Sequence, residues 1–406
     1  MIDFAIPPSI EAQTAALRGV AMSVMRPISR HMDEHEHEIP WEYMRFMHQA
    51  MRATGSGSMA GQTPRTGARL GFQTLAFSIE MLSWGDAGLY LCTPGGGLGA
   101  AAVEATGTPE QCERFLARFR GEAPVLACMA MTEAHCGSDT AAIRTRAVRD
   151  GDSWILNGEK IFVTAGHKSL VDTQGFVVVW ATIDPEAGRA GMRPFIVEAG
   201  TAGLSVTKLE KKMGIRVSDT AALVLQDCRI PMENLLGDPE VRREGGKGFR
   251  GAMATFDATR PLVSASALGV ARAALELVRE RLEFEGVVLR EGLPRGRMTN
   301  LEREVTDMEI LLHSAWLLVL KAAWLADEGK PNTLEASMAK IRAGEVVTRI
   351  TQKSVELLGP LGYSRELLLE KWMRDAKIND IFEGTGQINR LIVARRILGY
   401  SSSELR

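Results

Sequence analysis

From about residue 10 to residue 119, apolar side chains recur at every third and fourth position, a spacing that predicts helices. Pro40, Gly55-Ser56-Gly57-Ser58, residues 61–64 and residues 94–97 interrupt the pattern. From residue 124 to about 236 the period shortens to two and β-branched and aromatic residues gather in short runs. Strands are predicted over 125–131, 143–148, 153–156, 160–164, 176–182, 193–198, 204–208 and 221–225. Asp150-Gly151, Asn157-Gly158, Asp184-Pro185 and Ala202-Gly203 read as the turns between them. Many short strands without intervening helices predict a small barrel or sandwich. Beyond Gly248 the helical period returns, with rods over 261–285, 300–328 and 333–358 and a link over 286–297. Leu301, Val305, Met308, Leu312, Ala315, Leu318 and Ala322 share one stripe of the second rod, as a bundle helix requires. The pattern divides the chain into a helical domain (1–123), a β domain (124–240) and a helical bundle (241–406).

Composition agrees with several packed units, since 406 residues exceed the roughly 250–300 at which single cores stop growing. A 45% hydrophobic, 24% charged chain of formal charge -2 lacks the basic excess that nucleic acid or an anionic membrane surface demands. Met1-Ile2-Asp3-Phe4 does not begin a basic-then-apolar leader, and no unbroken apolar run nears the roughly 18 residues of a span. The expectation is a cytoplasmic protein with no membrane and no nucleic-acid partner. Cys92, Cys112, Cys128, Cys136 and Cys228 are odd in number and show no Cys-x-x-Cys spacing, which predicts reduced thiols.

Three motifs suggest chemistry that their context does not support. His31, His35 and His37 lie in a densely charged run with no further ligand at a recognisable spacing, so the expectation is a solvated turn and no metal. Gly97-Leu98-Gly99-Ala100-Ala101-Ala102 approximates a dinucleotide fingerprint, but helical patterns stand on both sides where strands are needed. His135 and Cys136 are adjacent on an extended segment and point to opposite faces, which argues against a nucleophilic pair.

The run Arg374-Asp375-Ala376-Lys377-Ile378-Asn379-Asp380-Ile381-Phe382-Glu383-Gly384-Thr385-Gly386-Gln387 is different. Glu383 follows two apolar residues, which disfavour ionisation and move a carboxylate toward the range of a general base. Gly384 has no side chain, so substrate can approach the backbone and the Glu383 amide can donate to a substrate oxygen. Read by itself, the same run also fits a helix N-terminus with a first-turn acid. The order of residues resembles the active-base loop of the acyl-CoA dehydrogenases, a Glu-Gly-Thr-x-Gln segment preceded by Arg-Asp-Ala-Lys-Ile.

Further segments extend that resemblance over nearly the whole chain. Met131-Thr132-Glu133-Ala134-His135-Cys136-Gly137-Ser138-Asp139 is similar to the family's turn facing flavin and acyl thioester, with Ala134, His135 and Cys136 as departures. Residues 154–164 resemble a hairpin whose second strand carries a flavin-facing aromatic, here Phe162, and a hydroxyl near flavin N5, here Thr164. Phe256-Asp257-Ala258-Thr259-Arg260-Pro261 resembles the Asp-x-x-Arg acyl-CoA contact at the start of the first long rod. The family's other base position on this helix is Thr259 here, which leaves Glu383 as the candidate base. Leu357 to Tyr363 resembles a Gly-Gly-x-Gly-Tyr turn beside a neighbouring subunit's flavin adenine, with Pro360 replacing a glycine. Arg281 sits one helical turn before the place of the arginine that meets the flavin diphosphate, and Glu285 occupies that place. Either Arg290, Arg295 and Arg297 of the following loop substitute, or flavin is held more weakly.

The resemblance implies an α+β, acyl-CoA dehydrogenase-like fold: an N-terminal α-helical domain, a middle small β-barrel domain and a C-terminal four-helix-bundle domain. It implies FAD as cofactor, dehydrogenation of an acyl-CoA to a trans-2-enoyl-CoA, an electron-transferring flavoprotein as partner, and a homotetramer. Glu383 is the implied base. Met131, Thr132, Gly137, Ser138, Phe162, Thr164, Thr385 and Gln387 are the implied flavin contacts, and Ser138, Asp257, Arg260, Gly384 and Arg395 the substrate contacts. Two alternatives stay open: a catalytically silent partner subunit of a hetero-oligomer, and a flavin oxidase or monooxygenase on the same fold.

Overall fold

The computed structural model describes residues 5–53, 70–241, 247–400 and 404, without the side chains of 247–250 and 252. The breaks expected at 55–58 and 61–64 lie outside the described residues. Helix α1 (Pro8–Val20) runs through a π-turn into α2 (Arg26–Glu34), followed by α3 (Trp41–Ala53), α4 (Gly71–Tyr90), α5 (Gly97–Thr106) and α6 (Pro109–Leu116). Within α4, Asp86 leaves helical geometry (φ -165°, ψ 118°) and is fully buried. Gly96, at φ 75°, turns the chain into α5, where a Cβ on Gly99 would stand 2.7 Å from the Ala127 Cβ. The run joins helices α4 and α5 and its glycines serve a helix-to-sheet contact, without the preceding strand that a dinucleotide fingerprint needs.

The middle domain holds β1 (Ala127–Ala130), β2 (Arg146–Asp150), β3 (Ser153–Thr164), β4 (Phe176–Thr182), β5 (Met192–Glu198), β6 (Leu204–Leu209) and β7 (Thr220–Pro231). They form one half-barrel sheet in the order β1-β4-β2-β3-β7-β6, with β5 on β4. All seven residues of β4 are buried, which is why its sequence is continuously apolar and does not alternate. One expectation fails here: Asn157-Gly158 is not a hairpin turn, and the strands predicted at 153–156 and 160–164 are both β3. Asn157 exchanges two side-chain hydrogen bonds with Asp227 on β7 (2.8 and 3.1 Å) while the register shifts at Gly158. The turn chemistry is absorbed as a β-bulge, and the strand continues.

The C-terminal bundle comprises α7 (Lys247–Phe284), α8 (Asn300–Asp327), α9 (Thr333–Tyr363) and α11 (Gly386–Leu398), with the short α10 (Leu369–Ala376) beside it. Pro261 does not open the first rod as expected, because α7 begins at Lys247 and carries Pro261 inside. A proline there removes the N–H owed to the Asp257 carbonyl; Asn332 Nδ2 supplies a donor in its place at 3.1 Å. Helix α9 breaks at Gly359 (φ 52°), within the Leu357 to Tyr363 turn that the sequence singled out. Two helices, Met253–Phe284 and Asn300–Asp327, are long and apolar enough to cross a membrane by length and composition, and they pack together in the bundle.

The two helical domains share one core, to which the β domain adds Leu126, Ala165, Ile215 and Val217 while keeping a core of its own. Helix α4 lies so close to α7 that a Cβ on Gly269 would fall 2.1 Å from the Glu80 carbonyl. The 209–220 segment of the β domain reaches α10, where the Ile215 N–H donates to Asp375 Oδ1 at 2.5 Å. Lys371, from the same helix, donates to Asp375 (2.6 Å) and to Asp86 (2.8 Å), and all three are buried. This junction fixes the chain a few residues before Glu383.

Candidate active site

After α10 and a 3₁₀ turn (Lys377–Asp380), the backbone takes positive φ at two successive residues, Glu383 (58°) and Gly384 (89°). A left-handed glutamate is strained, and such strain persists only where the surroundings impose it. Asn389 Nδ2 donates to the carbonyls of Gly384 (2.8 Å) and Thr385 (3.0 Å), and Arg260 Nε donates to the Glu383 carbonyl at 3.4 Å. A side chain at Gly384 would meet Asn389 Nδ2 at 3.1 Å, besides its unfavourable φ.

The Glu383 side chain is half-buried and receives one hydrogen bond, from the Thr259 hydroxyl to Oε2 at 2.9 Å. Burial pushes its pKa above the ordinary carboxylate value, against the Thr259 hydrogen bond and the charges of Arg260 and Lys340. Lys340, buried on α9, donates to the Asn379 carbonyl and lies 5.5 Å from the Phe382 ring. Burial lowers its pKa to about 8, opposed by Glu383 and Asp380. Tyr90, at the end of α4, faces the same carboxylate: burial first, then the charge of Glu383, raises its phenol. No hydrogen bond among the described residues uses the Glu383 N–H, so this donor is available to a bound carbonyl.

The expected contacts divide into two groups. On the β domain, Met131 is buried, Thr132 and Thr164 are half-buried, and Gly137 and Ser138 are exposed. Thr132 O accepts from the Ile161 N–H at 2.9 Å, and Lys160 Nζ bonds Met131 O (2.9 Å) and Glu133 (2.8 Å), which fastens this turn to β3. Phe162 is 60% exposed at φ 57°, while Val163 is buried in the core of the sheet. An exposed aromatic and half-buried hydroxyls on the same domain are side chains that suit a flavin ring. At the phosphate end, Arg290 is bound to Glu302 (2.7 and 2.9 Å) and Arg295 to Asp307, so these two loop arginines are already engaged. Arg281 is half-buried, and its enclosed Nε has no hydrogen-bond partner among the described residues.

On the bundle side, two expectations change. Arg260, expected to contact the acyl-CoA substrate, is 3% exposed and bonded to Asp257 (3.1 Å) and the Glu383 carbonyl; it organises the base loop. Asp257 is occupied by Arg260 and by Thr333 (2.5 Å). Thr385 caps α11, accepting from the Ile388 N–H at 3.2 Å, while Gln387 is exposed and Arg395 is half-buried in the last turn of α11. Thr259, Lys340, Tyr90 and Asn389 are the functional neighbours that sequence reasoning did not assign. Only Thr259 carried a signal, as the alternative base position.

Family models for the acyl-CoA dehydrogenase N-terminal, middle and C-terminal domains match residues 8–122, 128–228 and 246–398. The chain is 34% identical over 396 residues to the mitochondrial short-chain specific acyl-CoA dehydrogenase of Rattus norvegicus, covering 97% of this chain and 91% of that protein. Butyryl-CoA dehydrogenase of Megasphaera elsdenii superposes with a TM-score of 0.82 at 30% identity, covering 98% of this chain and all of the other. A chain solved in work on the electron transferring flavoprotein of Acidaminococcus fermentans superposes equally, with a TM-score of 0.82, 31% identity and coverage of 98% and 100%. A carboxylate of raised pKa in a glycine-flanked loop, three domains in this order and relatives along the full length leave one conclusion: the chain belongs to the acyl-CoA dehydrogenase family, FAD-dependent oxidoreductases acting on CH–CH bonds.

Proposed function

We propose that this chain desaturates a short acyl-CoA thioester to the trans-2-enoyl-CoA, with Glu383 as the base. The observation that carries the reading is the Glu383 carboxylate, whose pKa burial raises and which keeps one hydrogen-bond donor, beside its own unengaged N–H. The thioester carbonyl accepts from that N–H, an oriented donor worth roughly 3–4 kcal/mol in a transition state. Glu383 takes the α-proton, and the C–H electron pair becomes the Cα=Cβ bond as the β-hydrogen leaves as hydride. Bound FAD supplies the acceptor for that hydride. Phe162, Thr132 and Thr164 would hold the flavin ring, and Arg281 and the exposed Arg297 would be the cations left for its phosphates.

The short chain length is supported by the rat and Megasphaera relatives, and an electron-transferring flavoprotein as acceptor by the Acidaminococcus neighbour. A homotetramer is supported by the apolar side chains exposed along α8, Ile310, Leu317 and Trp324, with Val288 and Leu398. Glu383→Gln tests the reading: flavin absorbance is retained and turnover with butyryl-CoA falls roughly 10²–10⁴-fold. Near-normal turnover in that variant, or a purified chain that takes up flavin only with a second polypeptide, rejects it.

A further inference from the structure

His31 and His35 lie one helical turn apart at the C-terminal end of α2, and the chain beyond them doubles back. His35 ends the helix, His37 takes a left-handed φ of 75°, and the Glu38 N–H donates to the His35 carbonyl at 3.1 Å. This turn brings the Glu38 carboxylate to His31 Nε2 at 2.9 Å. The two imidazoles stack with centroids 4.1 Å apart and planes 24° from parallel. One ligand atom from each of His31, His35 and Glu38 lies within 4.8 Å of the others, and all three residues are exposed.

The hydrogen bonding prepares a donor set. His35 Nδ1 is 2.9 Å from the His31 carbonyl, which accepts only, so the ring proton sits on Nδ1 and the Nε2 lone pair is free. An Nδ1–H held by a backbone carbonyl is the usual support of a metal-bound imidazole. We propose that His31, His35 and Glu38 bind one divalent transition-metal ion, of which Zn²⁺ best matches two imidazoles and a carboxylate, with water as the fourth ligand. Tetrahedral bonds of about 2.0–2.2 Å place ligand atoms about 3.4 Å apart, a closure for which the stacked rings must turn out of parallel so that their in-plane lone pairs converge, as exposed side chains are free to do. The ion replaces the proton shared between His31 Nε2 and Glu38, and that imidazole carries its proton on Nδ1.

The other His–Cys–carboxylate group, Glu133, His135 and Cys136, is a weaker match. Glu133 already accepts from the Arg144 and Thr145 amides (2.7 and 3.0 Å) and from Lys160, and His135 Nε2 is bonded to the Ala142 carbonyl at 2.8 Å.

Binding at the turn has a structural consequence. Asp33 receives Arg374 from α10 at 2.6 and 2.9 Å, and Glu36 receives the Lys212 N–H at 2.7 Å, so the clamped segment joins α10 to the β domain. An ion bound only in the folded state raises the unfolding temperature with its concentration. Metal-stripped holoenzyme titrated with Zn²⁺ in a calorimeter tests this. One equivalent per chain is expected, together with a rise in unfolding temperature. His35→Ala and Glu38→Gln each weaken binding roughly tenfold or more with flavin absorbance unchanged, and His135→Ala has no effect. No zinc uptake by the wild type, uptake undiminished in both His35→Ala and Glu38→Gln, or loss in His135→Ala overturns the proposal.

Discussion

Two carboxylates near the end of the chain, Asp375 and Glu383, have opposite surroundings. Asp375 is fully enclosed and takes hydrogen bonds from Lys371 and the Ile215 amide, while Lys371 is shared with Asp86, which also accepts from Ser29 and the Leu89 amide (2.9 Å). Burial alone lowers the Lys371 pKa, yet Asp375 and Asp86 outweigh it and hold the ammonium above its usual value. Glu383 has a single hydroxyl partner, and its surrounding cations are engaged elsewhere: Arg260 with Asp257, and Lys340 with the Asn379 carbonyl. The saturated carboxylate holds three domains together. The undersupplied one is left able to take a proton.

Substitutions separate these roles. Lys371→Met leaves two buried carboxylates unpaired and costs about 3–5 kcal/mol of stability, read as a lowered denaturation midpoint. A stability near wild type would dissolve the contrast. Asn332→Ala removes the donor that stands in for the Pro261 amide and costs about 1–3 kcal/mol by the same measurement, with little change in turnover. A loss of turnover at unchanged stability would assign α7 a role beyond support. Thr259→Val has the smallest effect on stability, about 0.5–1.5 kcal/mol, and acts on the pH profile. The Thr259 hydrogen bond lowers the Glu383 pKa, so its loss raises that pKa further. The base must be ionised, so the acid limb of turnover moves to higher pH. An unmoved limb would remove Thr259 from the base's environment.

Glu383-Gly384 was legible locally as a candidate, because the apolar pair before it and the glycine after it are neighbours in the chain, whereas Phe162 was singled out only by the resemblance of its segment to the family's hairpin. The two positive φ values in the base loop show the limit, since glycine advertises Gly384 but nothing local announces a left-handed Glu383. Arg260 was misplaced for a related reason. Its motif looks like a helix start followed by proline, and it is Asn332, the N-cap of α9, that makes an interior proline tolerable. Asn157-Gly158 likewise carries strong turn chemistry that pairing with Asp227 converts to a bulge.

The sequence by itself determined the order helices, strands, helices, the strand at β4 and the α8 rod, while Glu383 as the base is read from the resemblance of its loop to the acyl-CoA dehydrogenases. The order and the rods are local and follow from side-chain periodicity and backbone preference, which act over a few residues. The tertiary structure decided what surrounds the base: Thr259 and Lys340 at the carboxylate, Lys371 between Asp86 and Asp375, and Glu38 folded onto His31. Each pairing closes a loop or crosses a domain boundary. Its energy depends on burial and approach that no local pattern encodes.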